Sequence, residues 1–425
     1  MLFIKNGEVV DTKEGIIKHW DLFIREGVIM AMAPWGEMEI PDGSKVIDAK
    51  GKIVAPGLLD MHVHLREPGE EYKETIESGC KAAVAGGFVA VLSMPNTRPV
   101  NDNASVTQYI IKRAEEVGLA KVYPVGAITV GQKGETLSEF GDLKTAGAIA
   151  VSDDGRCVMD SGLMRRALEY ASFFGLKVIS HCEDVNLSFG GQINEGVVSA
   201  HIGLKGIPPE AEEIMVFREI SLSKLTGVPI HIAHVSSRGS VEIIRWAKSR
   251  GILVTAETAP HYFTLDHNEV MGFNTLAKVN PPLRTPKDVE AIQEGLKDGT
   301  IDAIATDHAP HSVLEKEVEF DNAAFGMVGL ELAVPLVLNL VRNGVLSLPD
   351  AIRKMSLNPS KILGLEGGVI ELHKRADICI IDPDVEWEVT PEEIYSKGKN
   401  TPFLGKVLKG RNLMTIMGGE VVFAR

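Results

Sequence analysis

The chain has 425 residues, of which 44% are hydrophobic and 24% charged, proportions typical of a globular protein rather than a disordered one. Its 44 Lys and Arg against 58 Asp and Glu give a formal net charge of −14, which argues against a nucleic-acid-binding protein. No apolar run approaches the roughly 20 residues that span a bilayer, and the first residues turn polar too early for a signal peptide. The four cysteines are scattered without metal-binding spacing, so we expect a cytoplasmic protein with reduced thiols that binds neither nucleic acid nor membrane.

Both ends of the chain show short strand-like runs punctuated by glycine. Near the N-terminus these runs cover residues 2–4, 21–25, 28–32 and 45–48. A helix-like stretch at 352–361 precedes the C-terminal runs, which cover residues 377–381, 407–409 and 413–418. Because chain ends usually lie close together, the segments 1–55 and 365–425 can pair into one small β-domain.

Between these ends, strand-like runs alternate with helix-like stretches. The predicted strands are residues 58–64, 88–93, 121–127, 148–152, 177–181, 230–235, 252–257 and 301–306. Apolar residues at helical spacing, often with a glycine near the end, predict helices over 103–118, 161–175, 210–227, 239–251 and 286–299. Since parallel strands need helical crossovers, this alternation predicts an α/β fold, a (β/α)₈ barrel over residues 56–364. An open doubly wound sheet is the alternative, but no glycine-rich nucleotide-binding turn opens a helix here.

The strongest local signal is the run Asp60-Met61-His62-Val63-His64-Leu65-Arg66 at the end of the first predicted barrel strand. Side chains alternate along a strand, so His62 and His64 should project from one face, about 7 Å apart along the backbone. Two imidazoles at the mouth of a barrel suit a divalent ion such as zinc. Taken alone, the pair is equally compatible with half-buried strand residues.

Further ligand-type residues fall at the ends of other predicted strands, namely Asp153 and Asp154, His181, His234 and Asp307. Active sites of (β/α)₈ barrels form at this end, from several different strands. Four histidines and two carboxylates are too many for one tetrahedral zinc and suit two metals that share a carboxylate. Asp153 and Asp154 cannot both point inward from one strand, and the spacing does not decide between them.

Several neighbouring residues have less specific interpretations. His231 and the candidate ligand His234 are three residues apart, so they face opposite sides of their strand. This favours a position in the core for His231. Asp60 either orients an imidazole or simply packs. For His261 and His308 we favour roles in the fold or in contacts around the metal ligands rather than metal binding itself. Cys182 is expected to be inert.

Taken together, the motifs resemble those of dihydroorotases, the bacterial type I branch of the cyclic amidohydrolases. The resemblance covers nearly the whole chain, and it rests on 60–66, Met94-Pro95-Asn96-Thr97, 153–155, His181-Cys182-Glu183-Asp184, 234–236, 280–284, Asp307-His308-Ala309-Pro310-His311, 358–360 and 400–403. The His-x-His pair alone would indicate only the superfamily, whereas its combination with Arg66, Asn96 and the 307–311 run is far more specific.

The resemblance implies a small β-sandwich built from both termini and two Zn²⁺ ions per subunit at the barrel mouth. On the matching positions, one zinc would take His62, His64 and Asp307, the other would take His181 and His234, and Asp154 would bridge them. Many relatives bridge their metals with a carboxylated lysine. Residues 148–154 contain no lysine, which fits type I and speaks against hydantoinases and allantoinases.

The same resemblance implies the reaction and its other residues. The reaction would be reversible closure of N-carbamoyl-L-aspartate to L-dihydroorotate with loss of water, in de novo pyrimidine (UMP) biosynthesis. Asp307 would be the catalytic acid and base. Substrate contacts would be His64, Arg66, Asn96, Asn280, His311 and the backbone at Phe325 and Gly326. Arg66 offers a planar fork for the free carboxylate of the substrate.

Two other functions stay open at this point. One is another cyclic amidase of the hydantoinase or allantoinase type, and the other is a catalytically silent structural partner of aspartate transcarbamoylase. A silent partner should have lost metal ligands, whereas this chain has all six matching positions. We expect a homo-oligomer that acts on a small molecule, with aspartate transcarbamoylase as a candidate protein partner.

Overall fold

The two ends of the chain form one hydrogen-bonded sheet in the computed structural model, which describes residues 1–425. The N-terminal part supplies β1 (Leu2–Asp11), β2 (Ile16–Arg25), β3 (Val28–Pro34), β4 (Lys45–Asp48) and β5 (Ile53–Pro56). The C-terminal part supplies β16 (Ile378–Glu388), β17 (Val407–Met417) and β18 (Glu420–Ala424). The strand order is β18-β17-β16-β5-β1-β2-β3, with β4 also paired to β1. The prediction that both termini build one small β-domain is confirmed.

The terminal sheet has a hydrophobic core of its own. The two ends of the chain join where β5 and β16 pair antiparallel, with Val54 opposite Ile380. Apolar side chains from six of the strands pack together, among them Ile4, Leu22 and Ile416. The strands from the two ends therefore depend on each other for burial, because neither set could cover its apolar face alone.

Residues 58–304 supply eight parallel strands that surround the centre of the molecule. They are β6 (Leu58–Val63), β7 (Phe88–Ser93), β8 (Lys121–Gly126), β9 (Ala150–Val151), β10 (Lys177–Ser180), β13 (Ile230–Ile232), β14 (Val254–Thr258) and β15 (Ala303–Ile304). Neighbours in the sheet follow chain order, as a (β/α)₈ barrel requires. A separate pair, β11 (Ile193–Asn194) and β12 (Gly206–Ile207), lies in the connection between β10 and β13. All eight predicted strands are present, and several are shorter than predicted.

The barrel closes between β6 and β15 through a few specific contacts. Val63 forms a single parallel bridge with His308, just beyond the end of β15. The buried carboxylate of Asp60 accepts hydrogen bonds from the N–H groups of His62 (3.0 Å) and Thr306 (3.1 Å). Asp60 thus holds two backbone segments together at the closing seam, and it touches the main chain of His62 rather than its imidazole.

Thirteen α-helices connect and cover these strands. They are α1 (Ile76–Gly86), α2 (Ala104–Val117), α3 (Phe140–Ala146), α4 (Ser161–Phe173), α5 (Val185–Ser188), α6 (Val197–Ile202), α7 (Glu210–Thr226), α8 (Arg238–Ser249), α9 (Pro286–Asp298), α10 (Val313–Lys316), α11 (Ala333–Arg342), α12 (Leu348–Lys354) and α13 (Leu357–Leu363). Short 3₁₀ turns occur at Val130–Gln132, Pro260–Phe263, His267–Val270, Thr275–Ala277 and Pro391–Glu393. None of the helices combines the length and apolarity that a membrane crossing requires.

The prediction of one helix over 352–361 is wrong, because the structure has two helices, α12 and α13, separated at Met355 and Ser356. A continuous helix would need residue 359 to donate a hydrogen bond to the carbonyl of residue 355, and Pro359 has no N–H. In the observed structure Pro359 lies in the first turn of α13, where no such donor is needed.

Small and medium apolar side chains fill the barrel interior. This layer includes Leu92, Ala150, Ile179, Ala233 and Ala303 from different strands. Leu363 of α13 packs against the same layer. The interior is therefore a packed core, and chemistry is confined to the open mouth.

Candidate metal centre and substrate pocket

Four of the six predicted ligands, all histidines, surround a fifth, the Asp154 carboxylate, at the mouth of the barrel. The Asp154 Oδ1 atom lies 3.3 Å from His62 Nε2, 3.5 Å from His234 Nε2 and 3.7 Å from His181 Nδ1. Asp154 Oδ2 lies 3.5 Å from His64 Nε2. Asp154 therefore belongs to two groups of possible metal ligands, one with His62 and His64 and one with His181 and His234.

Asp307 is the sixth predicted ligand and lies beside the first group. Its Oδ1 atom is 3.3 Å from His64 Nε2 and 3.7 Å from His62 Nε2. Asp153 turns away from the cluster and accepts hydrogen bonds from the backbone N–H and the hydroxyl of Thr129. The geometry thus brings Asp154, and not Asp153, among the histidines.

Hydrogen bonds fix the orientation of the first two imidazoles. His62 Nδ1 lies 3.0 Å from Glu257 Oε1, and His64 Nδ1 lies 2.8 Å from Asn96 Oδ1. Both acceptors are oxygens, so Nδ1 carries the hydrogen in each ring and the Nε2 lone pair faces the cluster. Metal-binding histidines are typically held in this way.

The second pair of imidazoles is oriented differently. His181 Nε2 lies 2.9 Å from Glu183 Oε2, so the opposite ring nitrogen, Nδ1, faces the cluster. That Nδ1 atom is only 2.8 Å from His234 Nε2. Two nitrogen lone pairs at this separation require a proton or a cation between or beside them.

The unpaired polar atoms at the centre fit a divalent metal. His62 Nε2 and Asp154 Oδ1 are buried and have no hydrogen-bond partner. An unsatisfied buried polar atom typically costs about 1–3 kcal/mol, which a bound cation would remove. Imidazole nitrogens and carboxylate oxygens are the donors that zinc prefers at catalytic sites. The residues present therefore fit the predicted metals.

The carboxylates of the site are ionised at neutral pH. Burial opposes ionisation of Asp307, but the hydrogen bond to His64 and the other imidazoles hold its pKa at about 2. Burial likewise opposes ionisation of Glu257, yet hydrogen bonds to His231 and His62 hold its pKa at about 2. For Glu183 the contact with His181 outweighs burial and lowers the pKa to about 2. These buried negative charges favour a cationic occupant.

Three residues of the site have left-handed backbone conformations. The φ angles are +62° at Arg66, +32° at His234 and +50° at Asp307. Such conformations cost of order 1–3 kcal/mol each in residues other than glycine, and they cluster at functional sites. Each of these residues lies where the chain leaves a barrel strand, so the turn aims its side chain across the mouth.

Strict alternation along the first strand does not hold. Met61 packs into the barrel interior, although it lies next to His62. The pairing of β6 with β7 shifts register between Asp60 and Val63, and such irregularities re-aim side chains near active sites. The rings of His62 and His64 nevertheless come together, with centroids 5.4 Å apart.

Arg66 is buried beside the metal cluster and forms no ion pair with any carboxylate in the structure. Its Nε donates to the carbonyl oxygen of Pro310 at 3.2 Å. A cavity of about 260 Å³ is lined by Arg66 together with Asn96, Asp154 and Arg156. The guanidinium therefore has unused donors on the wall of the cavity that contains the shared carboxylate.

The other predicted substrate contacts already have partners in the protein. His311 Nε2 lies 2.8 Å from the Phe325 carbonyl, and burial followed by the Arg66 charge lowers the His311 pKa to about 2, so the ring is neutral. The Gly326 N–H donates to the Lys278 carbonyl. Gly326 has φ +135°, and a Cβ there would lie 2.7 Å from the Cβ of Ala309. Asn280 Nδ2 donates to Glu183 Oε2 at 2.8 Å.

Sequence reasoning did not identify Glu183 or Glu257 as parts of the site. Glu257 lies near the carboxyl end of β14, and a charged residue at that place in a barrel was the available signal. Glu183 is two residues after His181 in a motif already noted, but nothing in the spacing showed which atom it contacts.

Three other histidines, His231, His261 and His308, are buried. His231 Nδ1 lies 2.8 Å from the Thr255 hydroxyl. His308 Nδ1 accepts a hydrogen bond from the Gly329 N–H. His261 is buried and its Nε2 has no partner. Cys182 is buried, and burial raises the pKa of its thiol well above the ordinary value.

Comparison with known proteins gives a consistent result. A family model described as dihydro-orotase-like matches residues 51–240. Curated dihydroorotases from Geobacter metallireducens and Pelotomaculum thermopropionicum are 54% and 57% identical over 424 and 422 residues, which cover 100% and 99% of this chain and 100% and 98% of those proteins.

Solved structures share the fold. An L-hydantoinase (dihydropyrimidinase) from Arthrobacter aurescens is 25% identical with a TM-score of 0.88, covering 100% of this chain and 96% of that one. A dihydropyrimidinase from Brevibacillus agri is 22% identical with a TM-score of 0.84, covering 100% and 95%, and shows the fold alone. Because relatives that are more than half identical match over the full length, the chain belongs to the dihydroorotase family of cyclic amide hydrolases.

Proposed function

We propose that the protein is a zinc-dependent dihydroorotase that interconverts N-carbamoyl-L-aspartate and L-dihydroorotate in de novo pyrimidine biosynthesis. The observation that carries this proposal is the position of Arg66, buried, without an ionic partner, and on the wall of the cavity that also contains Asp154. A cyclic amide with a free carboxylate could pair with this guanidinium while its ring lies over the cluster. An uncharged hydantoin would leave it unpaired.

The same cluster supplies the metal ligands. His62, His64 and Asp307 would hold one zinc ion, His181 and His234 the second, and Asp154 would contact both. Two bound ions would lower the pKa of a coordinated water and polarise the amide carbonyl. The residues themselves hold this arrangement in place, because Glu257 and Asn96 orient His62 and His64.

Arg66, Asn96 and His311 orient the substrate. The Asn96 amide oxygen is occupied by His64, so its NH₂ group remains to donate to the substrate carboxylate. The planar guanidinium of Arg66 matches the two oxygens of that carboxylate. Reacting groups held in this way meet without the entropy cost of a free encounter.

Asp307 carries the proton in both directions. In ring opening, its carboxylate takes a proton from the attacking water and delivers it to the departing ring nitrogen. In ring closure, the protonated acid gives its proton to the departing hydroxide, which leaves as water while the ureido nitrogen bonds to the carbonyl carbon. Ring closure should therefore fall as pH rises, whereas ring opening should increase.

The proposal is tested by counting metals and comparing substrates. Purified protein should contain close to two zinc ions per chain and should open dihydroorotate far faster than hydantoin or allantoin. Faster opening of hydantoin would favour the hydantoinase alternative. Zinc retention without turnover of any ring would favour the silent partner of aspartate transcarbamoylase.

The assembly and location of the enzyme are also proposals. We propose a homo-oligomer in the cytoplasm, with aspartate transcarbamoylase as a candidate partner. Size-exclusion chromatography with light scattering, with and without the transcarbamoylase, would measure both associations. A monomer that the transcarbamoylase does not bind would contradict them.

A further inference from the structure

We propose that Glu183 is a positioning residue that couples substrate contact at Asn280 to metal binding at His181 through one shared carboxylate oxygen. The inference deepens the proposed function and rests on it, because it assumes that His181 binds a metal and that Asn280 contacts the substrate.

The coupling rests on a single atom. Glu183 Oε2 lies 2.9 Å from His181 Nε2 and accepts a hydrogen bond from Asn280 Nδ2 at 2.8 Å. The Glu183 side chain is only 16% exposed. Neither neighbour can shift far without changing the position of the oxygen that the other one uses.

The contact with Glu183 determines which ring nitrogen of His181 is available to a metal. A hydrogen bond from Nε2–H to Glu183 leaves the Nδ1 lone pair directed at Asp154 and His234, 3.7 Å and 2.8 Å away. Without the carboxylate, His181 could carry its hydrogen on Nδ1, where it would block the metal. Loss of such an orienting carboxylate typically lowers metal affinity about 10- to 100-fold.

The contact with Glu183 also determines which atom of Asn280 is available to the substrate. Because its NH₂ group donates to Glu183, its amide oxygen is left as the acceptor for an N–H group of the substrate. A ring amide or an open-chain ureido group carries such an N–H. Binding of either substrate would therefore fix Asn280, and through it Glu183 and His181.

Coupling of this kind is reciprocal. If metal binding improves substrate binding through Glu183, substrate must retain the metal by the same factor. Substrate should thus slow zinc loss from the wild-type enzyme. This effect should be weaker where either link, Glu183 or Asn280, is missing.

The test measures zinc release to a chelator in Glu183→Gln, Asn280→Ala and wild-type enzyme. Each is measured with and without an equilibrium mixture of dihydroorotate and carbamoyl aspartate. Glu169→Gln is the matched control, since Glu169 lies on α4 and pairs only with Arg165 at the surface. Without substrate, Glu183→Gln should release zinc about 10-fold faster or more, and Glu169→Gln should behave like wild type. Asn280→Ala should lie between these two, because Glu183 loses only one of its two partners.

With a saturating substrate mixture, zinc release should slow about fivefold or more in wild type and Glu169→Gln, and clearly less in Glu183→Gln and Asn280→Ala, which keep only the protection that substrate gives by contacting the metals directly. Wild-type zinc retention in Glu183→Gln would overturn the inference, and so would full protection by substrate in Asn280→Ala. The Asn280→Ala comparison stands even where Glu183→Gln does not fold. Failure of the proposed function has a different signature, namely a wild-type enzyme that does not turn over dihydroorotate at all.

Discussion

Single polar atoms decide the chemistry of this site, because almost every functional side chain has one atom fixed by the protein and another left free. His62 is fixed through Nδ1 and free at Nε2, and Asn96 is fixed through its oxygen and free at its nitrogen. Substitutions at this scale should therefore separate binding from chemistry.

The first such substitution is Asp307→Asn. The amide cannot carry a proton, but its oxygen can still weakly bind a metal, so turnover should fall by several orders of magnitude in both directions while dihydroorotate still binds. Turnover, zinc content and ligand binding are measured on the same preparation. A variant that holds its zinc and works within about tenfold of wild type, a barrier change of only ~1.4 kcal/mol, would show that Asp307 is not the acid and base.

Arg66→Lys tests the carboxylate contact. Lysine keeps the charge but loses the planar fork, so kcat/KM for dihydroorotate should fall substantially, and Arg66→Met should lower it further. The measurement compares both variants on dihydroorotate and on an uncharged hydantoin, for which any residual activity should be insensitive to them. Equal losses on both rings would assign Arg66 a structural role.

His261 should make the fold sensitive to acid. Burial lowers the pKa of His261 to about 4, below its ordinary value near 6.5. Between these pH values the unfolded chain binds a proton that the folded chain does not, so stability is lost as pH falls through this window and is fully present above it. From pH 7 to pH 5, the free energy of unfolding should fall about 1–2 kcal/mol more in wild type than in His261→Asn. Urea unfolding of zinc-loaded protein measures this, and equal slopes would contradict it.

Secondary-structure elements bring these atoms together. The predicted ligands lie at or just after the ends of β6, β9, β10, β13 and β15, so the barrel register sets their spacing. The segment before β17 contributes as well, because Asn400 binds the loops that carry the predicted substrate contacts. Its NH₂ group donates to the carbonyls of Ala309 and Gly326, and its oxygen accepts the His311 N–H.

Asn400→Ala removes all three of these hydrogen bonds. It should lower the free energy of unfolding by about 2–3 kcal/mol and raise KM for dihydroorotate, since His311 and Gly326 lose their support. Denaturant unfolding and steady-state kinetics measure the two effects. Asn322→Ala is the matched control, because Asn322 is exposed in the connection between α10 and α11 that also contains Gly326. It should change neither the free energy of unfolding nor KM. An unchanged KM in Asn400→Ala would mean that the two loops hold their positions without it.

At the scale of the whole molecule, the proposed metal centre would join distant segments, because the six predicted ligands lie at or just after the ends of five different strands. Any ligand that binds only the folded state stabilises it, by about 2.7 kcal/mol at a concentration 100 times its Kd. Chelation of zinc should therefore lower Tm by several degrees, and zinc added back should restore it. His181→Ala should lose zinc and activity together and respond less to the chelator. The same Tm with and without chelator would argue against a metal that bridges the strands.

The sequence by itself determined the barrel, the pairing of the two ends and the positions of the predicted ligands at the ends of the strands. Period-2 and period-3.6 patterns are local, so they are visible in one chain, and the carboxyl ends of parallel strands must meet at one mouth. The sequence could not show whether Asp153 or Asp154 lies among the histidines, because the two are adjacent in the chain and equally acidic. The choice depends on Thr129, 24 residues away, which binds Asp153 and leaves Asp154 to the histidines. Glu183, Glu257 and Asn400 likewise acquire their partners only when distant segments pack together. Hydrogen-bond partners across a barrel are fixed by register, twist and left-handed turns, and these are properties of the tertiary structure.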